Sequence, residues 1–275
     1  MATPASCRAS TAVNLASFST TRKIQDTQAN PFLRLHELDS HSSVDFPYPR
    51  HLEENPWREL IPPLWNTRSG SGSVGMDITI EWSVHDDPDE VARDMIRQCS
   101  TSNTVTTPSQ QQIEHLSQSL FIFRELCADK LTPISRFKAR LVATRGPTGT
   151  KCPQWHIDHV PVRWIQSLVG RGCEFVVSND GVNWQAVNGW DDDETLVDSD
   201  VAARNRALVD PQTATIRRAT EGRAVLLIGN RWQEYSKDAS SKYIQPAVHK
   251  SPASIPLWEG RVLLTQDVIL LDHAV

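Results

Sequence analysis

Cysteine is scarce: five residues, Cys7, Cys99, Cys127, Cys152 and Cys173, in a chain of 275. An odd, widely spaced set with no Cys-x-x-Cys pair excludes a disulfide framework, a zinc ribbon and a thioredoxin-type motif. It predicts buried free thiols in a reducing compartment. Glycine is also thin, at 12 residues, and neither Gly-x-Gly-x-x-Gly nor a Walker-type loop occurs. No stretch approaches the roughly 18 consecutive apolar residues of a transmembrane helix, so no membrane span is expected. Basic charge is not in excess either. Lys and Arg number 28 against 33 Asp and Glu, a net charge of −5, and nucleic-acid binding would want the reverse. With 39% hydrophobic and 22% charged residues, a disordered polyelectrolyte, a collagen-like chain and a coiled coil are ruled out. No repeat of fixed period is present. The length suits one large domain or two small ones.

Residues 1–25 contain no Asp or Glu but do contain Arg8, Arg22 and Lys23 among many Ala, Ser and Thr. That composition fits an organellar transit peptide and equally an ordinary disordered tail. The expected setting is intracellular, cytoplasmic or organellar. We therefore divide the chain into a tail or transit-like segment over 1–29, a Pro/Ser/Gly-rich wrapping segment over 30–75 and a single folded domain over 76–275. The wrapping segment offers Phe46, Tyr48, Trp57 and Trp65 as anchors.

Regular structure is predicted from Met76, where Met76, Ile78, Ile80 and Trp82 alternate with polar residues as in a half-buried strand. Asp86-Asp87-Pro88-Asp89-Glu90 then opens a helix whose buried stripe is Val91, Met95, Ile96 and Cys99. Ser109 and Gln112 fit a capping box for a second helix, with Ile113, Leu116, Leu120, Phe123 and Cys127 facing inward. Extended segments follow, at 137–144, 155–169, 173–177, 224–228 and 262–271. An acidic loop over 191–200 and a short helix near 201–208 separate some of them. Two helices followed by many strands predict an α+β fold around an antiparallel sandwich or barrel.

The chemistry concentrates in two motifs. In Cys152-Pro153-Gln154-Trp155-His156-Ile157-Asp158-His159, a strand would put His156 and Asp158 on one face and His159 on the other. Ala247-Val248-His249-Lys250-Ser251-Pro252 supplies a distant second histidine, and Arg261 opens the strand beyond it. Two histidines and one carboxylate make the facial triad of non-heme Fe(II) sites, with open positions for substrate and O₂. Cys152 reads first as a buried thiol beside Pro153. Trp155 and Trp232 are expected to flank the site.

This ordered set resembles the Fe(II)/2-oxoglutarate dioxygenases, over roughly residues 136–270. The resemblance implies a double-stranded β-helix (jelly-roll, cupin-like) core with helices from the N-terminal half packed on one side. It also implies that His156, Asp158 and His249 hold iron. A basic residue beyond the distal histidine binds the far carboxylate of 2-oxoglutarate, here Arg261, whose planar fork suits a carboxylate. Arg163 and Arg231 are further basic candidates for the same cavity. A closer resemblance joins CPQWHIDHVPVRW, RGCEF, GRAVLLIGNRW, AVHKSP and RVLLTQD to an uncharacterised family of unknown function. Lys250 stands where that family usually has Arg, and Arg171-Gly172-Cys173 where it usually has a Gly-Pro-Gly-Thr turn.

Two functions follow as expectations. The first is an Fe(II)- and 2-oxoglutarate-dependent oxygenase hydroxylating a small molecule or another, unknown substrate. The second is a non-catalytic zinc-binding protein of the same β fold in metal homeostasis, using the same ligands with Cys152. Neither involves nucleic acid or a membrane.

Overall fold

A computed structural model of the protein describes residues 43–47, 55–63, 72–101, 109–131, 134–150, 152–177, 180–188, 203, 207–237 and 243–269. The transit-like tail, Tyr48, Trp65, the acidic loop over 191–200 and most of the short helix near 201–208 lie outside them.

Among the described residues, nine strands form two antiparallel sheets. The larger runs in the order β1 (Ser43–Pro47), β7 (Arg223–Ile228), β4 (Val162–Val169), β9 (Gly260–Ile269), β3 (Arg136–Arg145), β2 (Ser73–Ser83). The smaller runs β6 (Ile216–Arg218), β5 (Glu174–Val176), β8 (His249–Lys250). Period-2 alternation divides the large sheet's side chains between two jobs. Met76, Trp82, Phe137, Leu141, Trp164, Leu226 and Leu264 face the helices α1 (Pro88–Thr101) and α2 (Gln110–Lys130) in one apolar core. Ile165, Val225 and Leu227 face the other way, against Cys173, Phe175 and Ala247 of the small-sheet layer. Arg140, Arg163, Arg261 and Thr265 line a cavity on that same side. The result is three layers, helices on the large sheet on the small sheet.

The helices follow their sequence signals. Met95 and Ile96 of α1 and Leu116, Leu120 and Phe123 of α2 are buried. Ser109 caps α2 with both bonds of the capping box, its hydroxyl accepting from the Gln112 N–H and the Gln112 side chain accepting from the Ser109 N–H. The strand predicted from Met76, β2, begins earlier, at Ser73, because a register irregularity between Val74 and Met76 breaks the alternation. Within the expected wrapping segment, β1 pairs along the outer edge of β7. A 3-10 helix at Pro56–Leu60 sends Trp57 into the main core, where it is 1% exposed. Two short helices, α3 (Trp184–Asn188) and α4 (Trp232–Tyr235), complete the described elements. No helix among the described residues is long and apolar enough to cross a membrane.

Candidate metal centre

His156 and His249 face each other across an antiparallel bridge, each N–H donating to the other's carbonyl at 2.9 and 3.0 Å. Directly opposed residues project to the same side, so the two imidazoles meet, with ring centroids 4.3 Å apart. Ser251 N–H donates to the Cys152 carbonyl at 2.7 Å, which lays the first motif beside the second. On its other side β8 pairs with β5, Phe175 opposite His249.

Asp158 arrives by a different route from the one the sequence predicts. The chain leaves regular pairing after His156, and the segment that follows is seated by the end of β7. Asn230 N–H donates to the Asp158 carbonyl at 3.1 Å, and Gly229 N–H to that of Pro161 at 2.9 Å. A Cβ on Gly229 would stand 1.9 Å from the Val160 carbonyl oxygen and 2.8 Å from that of Asp158. Only glycine lets the two backbones approach so closely. This seating brings Asp158 under the histidines, Oδ2 lying 3.2 Å from His249 Nε2 and Oδ1 4.0 Å from His156 Nε2. The ligand atoms of all three residues lie within 4.8 Å of one another.

The histidine tautomers follow from their partners. His156 Nδ1 lies 2.9 Å from the Gln154 carbonyl and His249 Nδ1 3.3 Å from that of Ala247. A carbonyl only accepts, so each Nδ1 carries a proton, and Nε2 is the ring nitrogen turned to the site. Asp158 Oδ2 is buried without a hydrogen bond despite its closeness to His249. Two acceptors 3.2 Å apart call for a cation between them, a proton or a metal ion, and the donor set fits a divalent metal of the imidazole-and-carboxylate type. Burial would raise the Asp158 carboxyl, but His249 and Arg163 outweigh it and hold it down at about 2. Burial, and then the nearby His249, lower His156. Both groups are thereby kept in their ligating forms at neutral pH.

A cavity of about 170 Å³ opens beside these residues, lined by His156, His249, Arg163, Arg261, Thr144 and Leu263 among others. Arg261 is 4% exposed. Its Nη1 donates to the Gly149 carbonyl at 2.6 Å, and its Nε is buried with no hydrogen-bond partner. Burial lowers its pKa. Arg163 also lines the cavity, but two carboxylates occupy its guanidinium: Nη1 donates to Asp158 Oδ1 at 2.6 Å, Nε and Nη2 to Asp267 at 2.6 and 3.0 Å. Arg231 is elsewhere. It pairs with Glu234 and Tyr235 on α4 and is not among the cavity's lining residues, because its own short helix holds it.

One further expectation is corrected, the burial of Cys152. Cys152 is exposed, and it lines the cavity. His159 is exposed, its Nδ1 3.1 Å from the Asn230 side chain. Trp155 lies under the Lys250 ammonium and Trp232 packs in the helix-side core, so neither lines the cavity. Sequence reasoning missed Asp267 and Gly229. Both were visible as the last residue of RVLLTQD and the second glycine of GRAVLLIGNRW, but nothing in a linear motif says which side chain or backbone it meets.

The chain belongs to the family described as "Protein of unknown function (DUF1826)", which matches residues 81–267. No curated protein matches it. Among solved structures it is similar to the Arabidopsis thaliana dioxygenase for auxin oxidation 1 in a 2-oxoglutarate complex, at 9% identity and TM-score 0.44, over 90% of this chain and 92% of that one. It is also similar to a Pseudomonas putida prolyl-4-hydroxylase, at 7% identity and TM-score 0.38, over 89% and 97%. A third is EvdO2 from Micromonospora carbonacea var. aurantiaca, at 12% and 0.40, over 89% and 94%.

Proposed function

We propose that this protein is a non-heme Fe(II)/2-oxoglutarate-dependent oxygenase, built on a double-stranded β-helix core, that hydroxylates a small molecule or another substrate. His156, Asp158 and His249 would hold the metal. The observation that carries the reading is the convergence of two imidazole Nε2 atoms and an unbonded carboxylate oxygen, with both histidines lining a cavity that also holds a buried, incompletely paired arginine. Bound Fe(II) supplies the redox chemistry by which 2-oxoglutarate and O₂ give succinate, CO₂ and a hydroxylated C–H bond.

The protein's own groups do the rest. Arg261 takes the far carboxylate of 2-oxoglutarate, for which its free Nε is available. The Gly149 carbonyl keeps that guanidinium oriented, and Leu263, Val142 and Ile165 in the cavity wall exclude water. An intracellular setting, cytoplasmic or organellar, suits the exposed thiol of Cys152. Residues 76–275 would form one domain, to which the preceding segment adds β1, the start of β2 and the Trp57 turn.

Purified protein with Fe(II), ascorbate and 2-oxoglutarate is expected to form succinate, and His156→Ala to lose both turnover and bound metal. Absence of Fe-dependent succinate overturns the oxygenase. A second reading, a non-catalytic zinc protein, draws on the Cys152 thiol in the same cavity wall. Under it Cys152→Ser weakens metal binding; under the oxygenase reading metal binding is unchanged.

A further inference from the structure

Arg163 and Asp267 lie outside the proposed ligand set, yet they fix its one carboxylate. We propose that Arg163, clamped by Asp267, is a positioning residue that presents Asp158 to the metal through Oδ2 alone, an inference that rests on the metal-site reading above.

The argument begins in the backbone. Arg163 on β4 and Asp267 on β9 are direct partners in the antiparallel register, so the strands themselves bring the pair together. Asp267 accepts from Nε and Nη2 of the guanidinium, which leaves Nη1 to reach Asp158 Oδ1 at 2.6 Å. Because a guanidinium is planar and rigid, it cannot turn at one bond without disturbing the other two. Oδ1 is thus occupied, and rotation of the Asp158 carboxylate would break a charge-assisted bond. Oδ2 is left buried, unbonded and beside His249.

Presentation through one oxygen matters to chemistry. A carboxylate with both oxygens free can chelate a metal and fill a position that a facial triad must leave open. Charge points the same way. Arg163 alone would place a full positive charge beside a divalent cation, and Asp267 cancels it; the three groups together carry a net −1. The motif residues Arg163 of HVPVRW and Asp267 of RVLLTQD thereby acquire one shared role.

The test uses the full chain and Co(II) as probe, with affinity read by titration calorimetry and coordination by visible absorption. Arg163→Lys and Asp267→Asn are each expected to weaken Co(II) binding about 10- to 100-fold and to change the absorption bands. The double variant should bind no more weakly than Arg163→Lys alone, because Asp267 acts through Arg163. Melting of the metal-free proteins is followed in parallel. Variants that melt earlier yet bind Co(II) within twofold of wild type, with the same spectrum, would make the pair merely structural and overturn the proposal. Additive losses in the double variant overturn the chain of action. If Arg163→Lys does not fold, Asp267→Asn decides alone, since it keeps the side-chain shape. Failure of the folded wild type to bind Co(II) overturns the metal reading itself, and the proposal with it.

Discussion

Arg261 donates to the Gly149 carbonyl at 2.6 Å, tying the start of β9 to the 3-10 turn that follows β3. That turn is packed tightly: a Cβ on Gly149 would lie 2.9 Å from both Ile255 Cδ1 and Thr144 Oγ1. Arg261 feels the Glu259 carboxylate only through space and leaves its buried Nε without a hydrogen bond, and a buried cation left so incompletely paired is costly. An anionic guest, which the proposed function supplies, would resolve that cost.

Arg261→Met should therefore raise the Kd for 2-oxoglutarate by about 30-fold or more, the equivalent of at least about 2 kcal/mol for removing one partner of a buried charged pair. Calorimetry on metal-loaded protein measures it. Co(II) affinity should stay within about twofold, and an unchanged 2-oxoglutarate Kd would remove Arg261 from co-substrate binding.

Gly229→Ala forces a backbone shift, since its Cβ would lie 1.9 Å from the Val160 carbonyl oxygen. Expected are a loss of stability of about 1–3 kcal/mol, as for strained or overpacked sites, and a weaker metal site because Asp158 is carried on the displaced segment. Denaturant unfolding and Co(II) titration of the same sample report the two effects. Retention of full metal affinity would show that Asp158 does not depend on this seat.

In metal-free protein the pH dependence has a defined sign. His156 is lowered by burial and then by His249, so the unfolded chain binds its proton more readily. Stability is full above the unfolded value near 6.5 and is lost as pH falls from there through the lowered folded value. Asp158, held at about 2, contributes stability above its unfolded value near 3.9, lost as pH falls toward 2. His115 is lowered by burial as well, so the informative quantity is the difference between wild type and His156→Gln. In thermal melts with chelator, the variant should show a smaller drop from pH 7 to pH 5. Identical profiles would contradict the assignment.

Phe123→Ala tests the helix-side core. Its ring lies edge-on to Phe137 and Trp164, with centroids 5.8 and 6.4 Å away, and it is fully buried. The expected loss is about 3–5 kcal/mol in urea unfolding, with 2-oxoglutarate binding retained in the folded fraction. A loss under about 1 kcal/mol would mean that α2 is not essential to the core.

Local patterns carried most of the fold. The alternation of β3 and β9 and the stripes of α1 and α2 each depend on a fixed period, so each is readable from its own segment. The site was legible as residue types in order, His156, Asp158, His249 and Arg261. Its assembly was not, because Asp158 reaches the histidines through Gly229 and Asn230, and the guanidinium of Arg163 is taken up by Asp267 and Asp158. Those contacts are set by register between strands distant in sequence. Arg231 misled for the same reason: charge near a motif says nothing about a local partner such as Glu234.

The family match over 81–267 stops short of β1, most of β2 and the Trp57 turn. A protein trimmed to those limits would strip both outer strands from the six-stranded sheet and leave β7 and β3 with bare hydrogen-bonding rims. Such rims recruit other chains. The trimmed protein is expected to self-associate, which makes the segment ahead of residue 81 a guard against aggregation as much as a part of the core.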